Sequence, residues 1–83
     1  MREIKNSPRK ILNMLKWKEK ADLNYVEIWY IHRGAPNDTK IISGIEIENL
    51  ERSSMKTTTS MIPYHRIFKI FYKGEIVFKR KLQ

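Results

Sequence analysis

The first quarter of the chain carries apolar side chains at the spacing of a helix. Three of them form one stripe: Ile11, Leu12 and Leu15. Ser7 can cap the first turn. Pro8 suits the first helical position, because its ring holds φ near the helical value and its missing N–H would have no partner there. The pattern therefore predicts a helix that begins at Ser7 and ends near residues 18–20, where the sequence becomes polar.

The segment 25–32, YVEIWYIH, has the strongest strand pattern in the chain, because β-branched and aromatic residues dominate it. Large apolar residues occur in both of its alternating sets, which predicts a central strand covered on both faces. A turn rich in Gly, Pro, Asn and Asp follows at 34–38. We predict that residues 39–47 form the returning strand of a hairpin, with Gly44 at a bulge or bend.

We predict three further strands in the second half of the chain, at 54–60, 65–72 and 75–81. The first of them is ambiguous, because residues 47–54 could instead make a helical turn. The β-branched run at 57–59 favours the strand. Lys73-Gly74 between the last two segments fits a two-residue hairpin turn, since glycine readily adopts the positive φ that such turns require.

These elements predict an α+β fold, in which the N-terminal helix packs on a twisted antiparallel sheet of four to five strands that can curl toward a barrel. With 83 residues the chain has room for one domain, 1–83. A chain of this length buries only about 60 to 65% of the surface that its unfolded form exposes. Trp17 and Trp29 are therefore predicted to belong to the core, since a small domain needs its largest apolar side chains for packing.

The chain is strongly basic, with seventeen Lys and Arg residues against nine Asp and Glu and a formal net charge of +8. The excess lies at the ends: residues 1–22 hold seven basic and three acidic side chains, 62–83 hold six and one, and 23–61 hold four and five. A basic protein favours phosphate-rich partners, because binding releases condensed counterions. Nucleic acid is the first partner to test, although a thermophile's Lys-rich surface would have the same composition.

The composition excludes several classes of protein. Cysteine is absent, which removes disulfides, thiolate nucleophiles and sulfur-rich zinc sites. No apolar run approaches the roughly 20 residues that span a bilayer, and the first ten residues lack the apolar segment of a secretory signal. There is no glycine-rich phosphate loop, nucleophile elbow or carboxylate pair. We expect a soluble cytoplasmic protein that uses no cofactor.

Two His-Arg pairs are the main candidates for a binding site: His32-Arg33 and His65-Arg66. Arginine suits phosphate because its planar fork donates two parallel hydrogen bonds, and histidine can add a donor or carry a proton near neutral pH. Neighbours in a regular strand point to opposite faces, so a pair reaches one ligand only where the chain leaves strand geometry. Gly34 and Pro63 provide such breaks.

We assign phosphate and RNA contacts to five residues of these segments: His32, Arg33, Tyr64, His65 and Arg66. Trp17 and Tyr64 are predicted to offer aromatic faces on which a base can stack. Interleaved basic and aromatic side chains of this kind suit single-stranded RNA. No metal site is expected, because two histidines with Asp38 as the nearest carboxylate in sequence fall short of a zinc shell.

The same residues also have structural interpretations. Arg66 shares its alternation face with apolar residues and could be a part-buried arginine paired with Asp38 or Glu27. His32 could be a core histidine, since it also shares a strand face with apolar residues. In that case the protein would be a structural or protein-interaction domain, and its His-Arg pairs would only tie strand ends together.

The two histidines also admit an enzyme, a metal-independent cyclic phosphodiesterase in which His32 and His65 act as acid and base. Two-histidine phosphoesterases place a Ser or Thr two residues after each histidine. Here Gly34 and Ile67 occupy those positions. The sequence therefore favours binding without turnover.

Four segments together resemble a known family: LNMLKW, VEIWYIHRGAPND, IPYHRI and GEIVFKR. They are similar to the small archaeal proteins long described as uncharacterised and later as the RNA cyclic group end recognition domain, and the resemblance spans residues 10–80. It implies a non-catalytic module that recognises phosphorylated or 2′,3′-cyclic phosphate RNA ends. It also implies RNA ligase or phosphoesterase-type processing enzymes as partners. The HRG and IPYHRI blocks and Trp17 match the family's pattern, whereas Phe78 stands where the family often has tryptophan.

Overall fold

The computed structural model describes residues 7–17 and 22–80. One α-helix, α1, spans Pro8–Trp17. The strands are β1 Val26–Ile31, β2 Thr39–Ser43, β3 Ile47–Leu50, β4 Ser54–Thr57, β5 Met61–Pro63, β6 Ile67–Tyr72 and β7 Glu75–Lys79. A 3₁₀ turn directly precedes β1, β2, β3 and β6. The predicted helix end at 18–20 and the predicted strand end at 81 lie outside the described residues.

The start of α1 follows from its first residues. The backbone N–H of Lys10 donates to Ser7 Oγ at 3.1 Å, which confirms the predicted cap, and the N–H of Ile11 donates to the Ser7 carbonyl.

No described helix has the length and apolar character that crossing a membrane requires.

The strands divide between two antiparallel sheets. One has four strands in the order β2-β1-β6-β7, and the other has three in the order β3-β4-β5. The predicted α+β class with antiparallel pairing is confirmed. The prediction of one sheet of four to five strands that curls toward a barrel was wrong, because the seven described strands form two sheets and close no barrel.

Gly44 marks the point where the chain leaves the first sheet. The predicted strand at 39–47 is split there: β2 ends at Ser43, a 3₁₀ turn spans Gly44–Glu46, and β3 joins the second sheet. A Cβ atom added at Gly44 would lie 2.7 Å from Val26 Cβ and 3.0 Å from the Leu23 carbonyl oxygen. Only glycine therefore permits this close approach to β1. The bend that the sequence predicts at Gly44 is the point where the chain passes from the four-stranded sheet to the three-stranded sheet.

The core is built jointly by α1 and both sheets. Its buried apolar side chains are Ile11, Leu12, Leu15, Val26, Ile28, Tyr30, Ile47, Met55, Ile62, Tyr64, Ile67 and Ile70. β1 lies between β2 and β6, as predicted for a central strand. Its inner face is buried, whereas Trp29 and Ile31 on its outer face are only partly buried, so the predicted cover on both faces and the predicted place of Trp29 in the core were wrong. Trp17 is 75% exposed, so its predicted place in the core was wrong.

The β6–β7 hairpin has the predicted two-residue turn. Lys73 has φ of 54° and Gly74 has φ of 82°. Two successive positive φ values are typical of the tight turn whose twist matches that of paired strands. This turn fixes the register in which Tyr72 pairs with Glu75.

Candidate functional site

A pocket of about 380 Å³ lies where β1 ends and the turn into β6 begins, beside β5. Its lining residues are Tyr30, Ile31, His32, Ser60, Met61, Ile62, Pro63 and Arg66. One residue from each His-Arg pair is among them. The volume lies within the range of about 300 to 1,000 Å³ that is typical of ligand pockets.

The loop after β1 positions His32 at the pocket. The His32 N–H donates to the Asp38 carbonyl at 2.8 Å, and the Gly34 N–H donates to Asp38 Oδ1 at 3.3 Å. Gly34 has φ of 95°, a conformation that glycine adopts without strain. The His32 ring meets the Tyr30 ring edge to face, with centroids 6.3 Å apart. The imidazole is exposed, so the interpretation of His32 as a core histidine is not supported.

A 3₁₀ turn at Tyr64–Arg66 brings Arg66 to the same pocket. The turn starts after Pro63 and closes with a hydrogen bond from the Ile67 N–H to the Tyr64 carbonyl. The chain therefore leaves strand geometry here, as the proline predicted. Arg66 is exposed, and the single ion pair within the described part of the chain joins Lys56 and Glu48. The predicted pairing of a part-buried Arg66 with Asp38 or Glu27 is therefore not observed.

The second member of each pair lies elsewhere. Arg33 and His65 are exposed and do not line the pocket. The His65 backbone contributes to structure, since its carbonyl accepts a hydrogen bond from Arg80 Nη1 at 2.9 Å. The two histidines therefore do not meet in this pocket, which argues against the predicted acid–base pair of a phosphodiesterase.

Tyr64 is a buried structural residue. Its side chain is 8% exposed, and its hydroxyl donates to the Glu51 carbonyl at 2.6 Å. Burial raises the pKa of the Tyr64 phenol above 10.0, and the Arg9 guanidinium partly offsets that shift. Arg9 Nε donates to the same carbonyl at 3.1 Å. The ring has no free face for a base, so the stacking role predicted for Tyr64 needs correction.

Trp17 has the exposure that stacking needs but does not line the pocket. Trp17 is the last residue of α1, and it is also not in the lining of a second cavity of about 300 Å³, which is formed by Lys10, Ile11, Met14 and Val77. Its predicted role as a stacking residue stays a prediction.

Sequence reasoning missed the loop that forms one wall of the pocket. The turn from Thr57 to Ser60 is held by the Thr57 side chain, whose Oγ1 accepts from the N–H groups of Ser60 at 3.0 Å and Thr59 at 3.3 Å. Thr57 Oγ1 also lies 3.0 Å from the Ser60 carbonyl, to which its hydroxyl can donate. The clue was the Thr-Thr-Thr-Ser run, because hydroxyl side chains bond nearby backbone groups and favour turns over strands.

The rest of the pocket is mainly apolar. Tyr30 is 6% exposed, and burial, followed by the Glu46 carboxylate, raises the pKa of its phenol. The phenol is therefore neutral at physiological pH.

Among the described residues, no group of three or more His, Asp or Glu side chains is placed to hold a metal ion.

Comparison with known proteins places the chain in a family. The MJ1316 RNA cyclic group end recognition domain matches residues 1–80. A UPF0248 protein of Methanococcus vannielii is 35% identical over 74 residues, covering 87% of this chain and 89% of that protein. The UPF0248 protein MJ1316 of Methanocaldococcus jannaschii is 35% identical over 75 residues, covering 88% of this chain and 92% of that protein. No solved structure is a significant match. The chain therefore belongs to the family of the MJ1316 RNA cyclic group end recognition domain.

Proposed function

We propose that the protein binds RNA ends that carry a 2′,3′-cyclic phosphate or a terminal phosphate, and that it does so without turnover. The observation that carries the proposal is the pocket shared by His32 and Arg66. The description of the family names the recognition of RNA cyclic group ends, in agreement with this chemistry.

The polar groups of the pocket suit a phosphate. The Arg66 guanidinium can donate two parallel hydrogen bonds to phosphate oxygens, and the His32 imidazole can add one more. Ser60 also lines the pocket and offers a hydroxyl group as a further donor. The net charge of +8 draws polyanions toward the protein over a longer range.

The apolar groups suit the sugar and base that adjoin the phosphate. Ile31, Met61 and Ile62 line the pocket beside the two basic side chains. Ligand sites commonly combine such apolar walls with a few polar groups that fix orientation. We infer that the phosphate lies against Arg66 and that the terminal ribose faces the apolar wall.

Binding without turnover is supported by the described lining of the pocket, which contains a histidine from only one of the two His-Arg pairs. His32 is the histidine of the pocket, and His65 lies outside its lining. Ring opening of a cyclic phosphate needs one group to activate water and another to protonate the leaving oxygen. RNA ligase and phosphoesterase-type enzymes act on the same ends and remain predicted partners.

The test is a titration of three RNA oligomers of one sequence that end in a 2′,3′-cyclic phosphate, a 3′-phosphate or a 3′-hydroxyl. We expect the two phosphorylated ends to bind at least tenfold more tightly than the hydroxyl end. Equal affinities for all three would leave general RNA binding and remove end recognition. Incubation of the cyclic-phosphate oligomer with the protein between pH 5 and 8 should return it unopened.

A further inference from the structure

The outer face of the four-stranded sheet carries aromatic side chains that are not part of the buried core. Trp29 on β1 lies opposite Ile41 of β2 and Lys69 of β6. Residues opposite each other across paired strands project from the same face. The core takes the other face of β1, where Val26 and Ile28 are fully buried.

An aromatic cluster is centred on Trp29. Its ring centroid lies 5.5 Å from that of Phe71, with the planes tilted by 43°, and 6.5 Å from that of Phe68, with the planes nearly perpendicular. All three rings remain partly exposed. Ile41 and Ile76 are each 50% exposed beside them. We call these five residues the aromatic face.

The charges on the aromatic face suit a polyanion. Lys69 Nζ lies 5.2 Å from the centroid of the Trp29 ring, and Lys69 is paired across the strands with Lys79. Glu27 is the carboxylate of this face, and its Oε1 accepts a hydrogen bond from the Trp29 indole Nε1 at 3.3 Å. Basic and aromatic side chains thus alternate on one surface, which is the combination that single-stranded nucleic acid requires.

The aromatic face adjoins the pocket of His32 and Arg66. Ile31 lines that pocket and lies two residues beyond Trp29 on β1, on the same face of the strand. Two residues of a strand span only about 6.6 Å. A chain whose terminal phosphate occupies the pocket therefore has the aromatic face within reach of its next nucleotides.

We propose that the aromatic face is a second RNA subsite, which stacks unpaired bases on Trp29 and Phe71 while Lys69 and Lys79 contact the phosphates between them. The inference rests on the proposed function, because it places the upstream nucleotides of the RNA whose end the pocket holds. Aromatic residues on a four-stranded sheet stack two or three bases in one common class of RNA-binding domain. Only unpaired bases expose their faces to aromatic side chains, so this subsite selects single strands over duplexes.

The test separates the length of the RNA from the chemistry of its end. Uridine dinucleotides and octanucleotides, each with a 2′,3′-cyclic phosphate or a 3′-hydroxyl, are titrated into the wild-type protein. We expect the octanucleotides to bind roughly tenfold or more tightly than the dinucleotides with either end, since each stacked base adds about that factor. Duplex RNA of the same length should not show this gain.

Four variants separate the contribution of the aromatic face from that of the pocket. Trp29→Leu and Lys69→Gln should remove most of the length effect and retain the preference for the cyclic phosphate. Lys56→Gln is the control, because it removes the same charge from an exposed position on β4 of the other sheet, where it also removes an exposed ion pair with Glu48 at 3.9 Å that contributes little to stability. Lys69→Gln should also reduce the slope of log K against log salt concentration for octanucleotide binding by about 0.7. Arg66→Ala should instead remove the preference for the phosphorylated end and keep the effect of RNA length.

A Trp17→Phe variant leaves Trp29 as the sole tryptophan and provides a fluorescence readout in which the aromatic face itself is unchanged. Its fluorescence should be quenched more strongly by the octanucleotide than by the dinucleotide, because only the longer chain covers the whole aromatic face. The inference is overturned if length has no effect, if the length effect survives Lys69→Gln, or if Trp29 mediates a dimer of the free protein that RNA does not dissociate. Loss of end preference with the length effect intact would instead overturn the proposed function alone.

Discussion

His32 and Arg66 lie in the lining of one pocket, although they come from two separate His-Arg pairs at the ends of different strands. The relationship depends on two breaks in regular geometry, the loop after β1 and the 3₁₀ turn Tyr64–Arg66. β1 and β6 are antiparallel neighbours, so the end of one strand and the start of the other lie side by side. Each pair therefore supplies one residue to the lining of the pocket, and its other member lies outside that lining.

The first prediction concerns Arg66. Arg66→Ala should weaken binding of RNA that ends in a cyclic phosphate by about 10- to 150-fold, the loss expected for hydrogen bonds to a charged group. Arg66→Lys should recover only part of the affinity, because an ammonium keeps the charge without the planar fork. Fluorescence anisotropy with a labelled oligomer measures both.

Two other arginines provide the controls for that experiment. Arg33→Ala and Arg52→Ala remove the same charge from exposed positions that do not line the pocket. Both should lower affinity by no more than the small factor expected from net charge. A loss at Arg33 as large as that at Arg66 would contradict the assignment of the phosphate to this pocket.

The second prediction concerns the turn beside the pocket. Thr57 is 3% exposed, and Thr57→Val would leave the N–H groups of Thr59 and Ser60 without their acceptor. We expect a loss of about 1 to 3 kcal/mol in the free energy of unfolding, together with weaker RNA binding because Ser60 lines the pocket. Thr57→Ser keeps the hydroxyl and should retain the affinity. Urea denaturation and RNA titration of both variants test this.

The third prediction concerns the crossing between the sheets. Gly44→Ala should lower the free energy of unfolding by about 1 to 3 kcal/mol, because the new Cβ would overlap Val26 and the core is already filled. Gly74→Asn is the contrasting substitution, since no atom lies within 4 Å of a Cβ there and asparagine tolerates positive φ. Equal stability losses in the two variants, measured by chemical denaturation, would refute the steric explanation.

The fourth prediction is a loss of stability at alkaline pH. Burial raises the pKa of the Tyr30 and Tyr64 phenols above their ordinary value of 10.0. The folded state therefore keeps protons that the unfolded state releases, so the contribution of these groups is complete below pH 10 and lost as pH rises through the folded pKa.

The matching measurement is the melting temperature between pH 8 and 11. Tyr64→Phe removes one of the two phenols and should make the decline with pH shallower. At pH 8 the same variant should be less stable than the wild type by about 0.5 to 1.5 kcal/mol, because the hydrogen bond to the Glu51 carbonyl is lost. A decline of unchanged steepness would assign the alkaline transition to other groups.

Local patterns predicted the elements whose causes are local. The cap at Ser7, the strand at β1 and the Lys73-Gly74 turn were predicted because capping, β-propensity and positive φ each depend on a few adjacent residues. The division of the strands into two sheets was missed. It depends on the close approach of Gly44 to Val26, two residues whose contact the sequence does not reveal.

The sequence alone determined the net charge, the absence of cysteine, the helix and strand patterns and the motifs that identify the family. Tertiary structure decided which member of each His-Arg pair lines the pocket, that Tyr64 is buried beneath the Glu51 carbonyl, and that Trp29 lies on an outer face. The reason is physical: alternation tells which residues share a face of one strand, whereas burial depends on what other parts of the chain pack against that face.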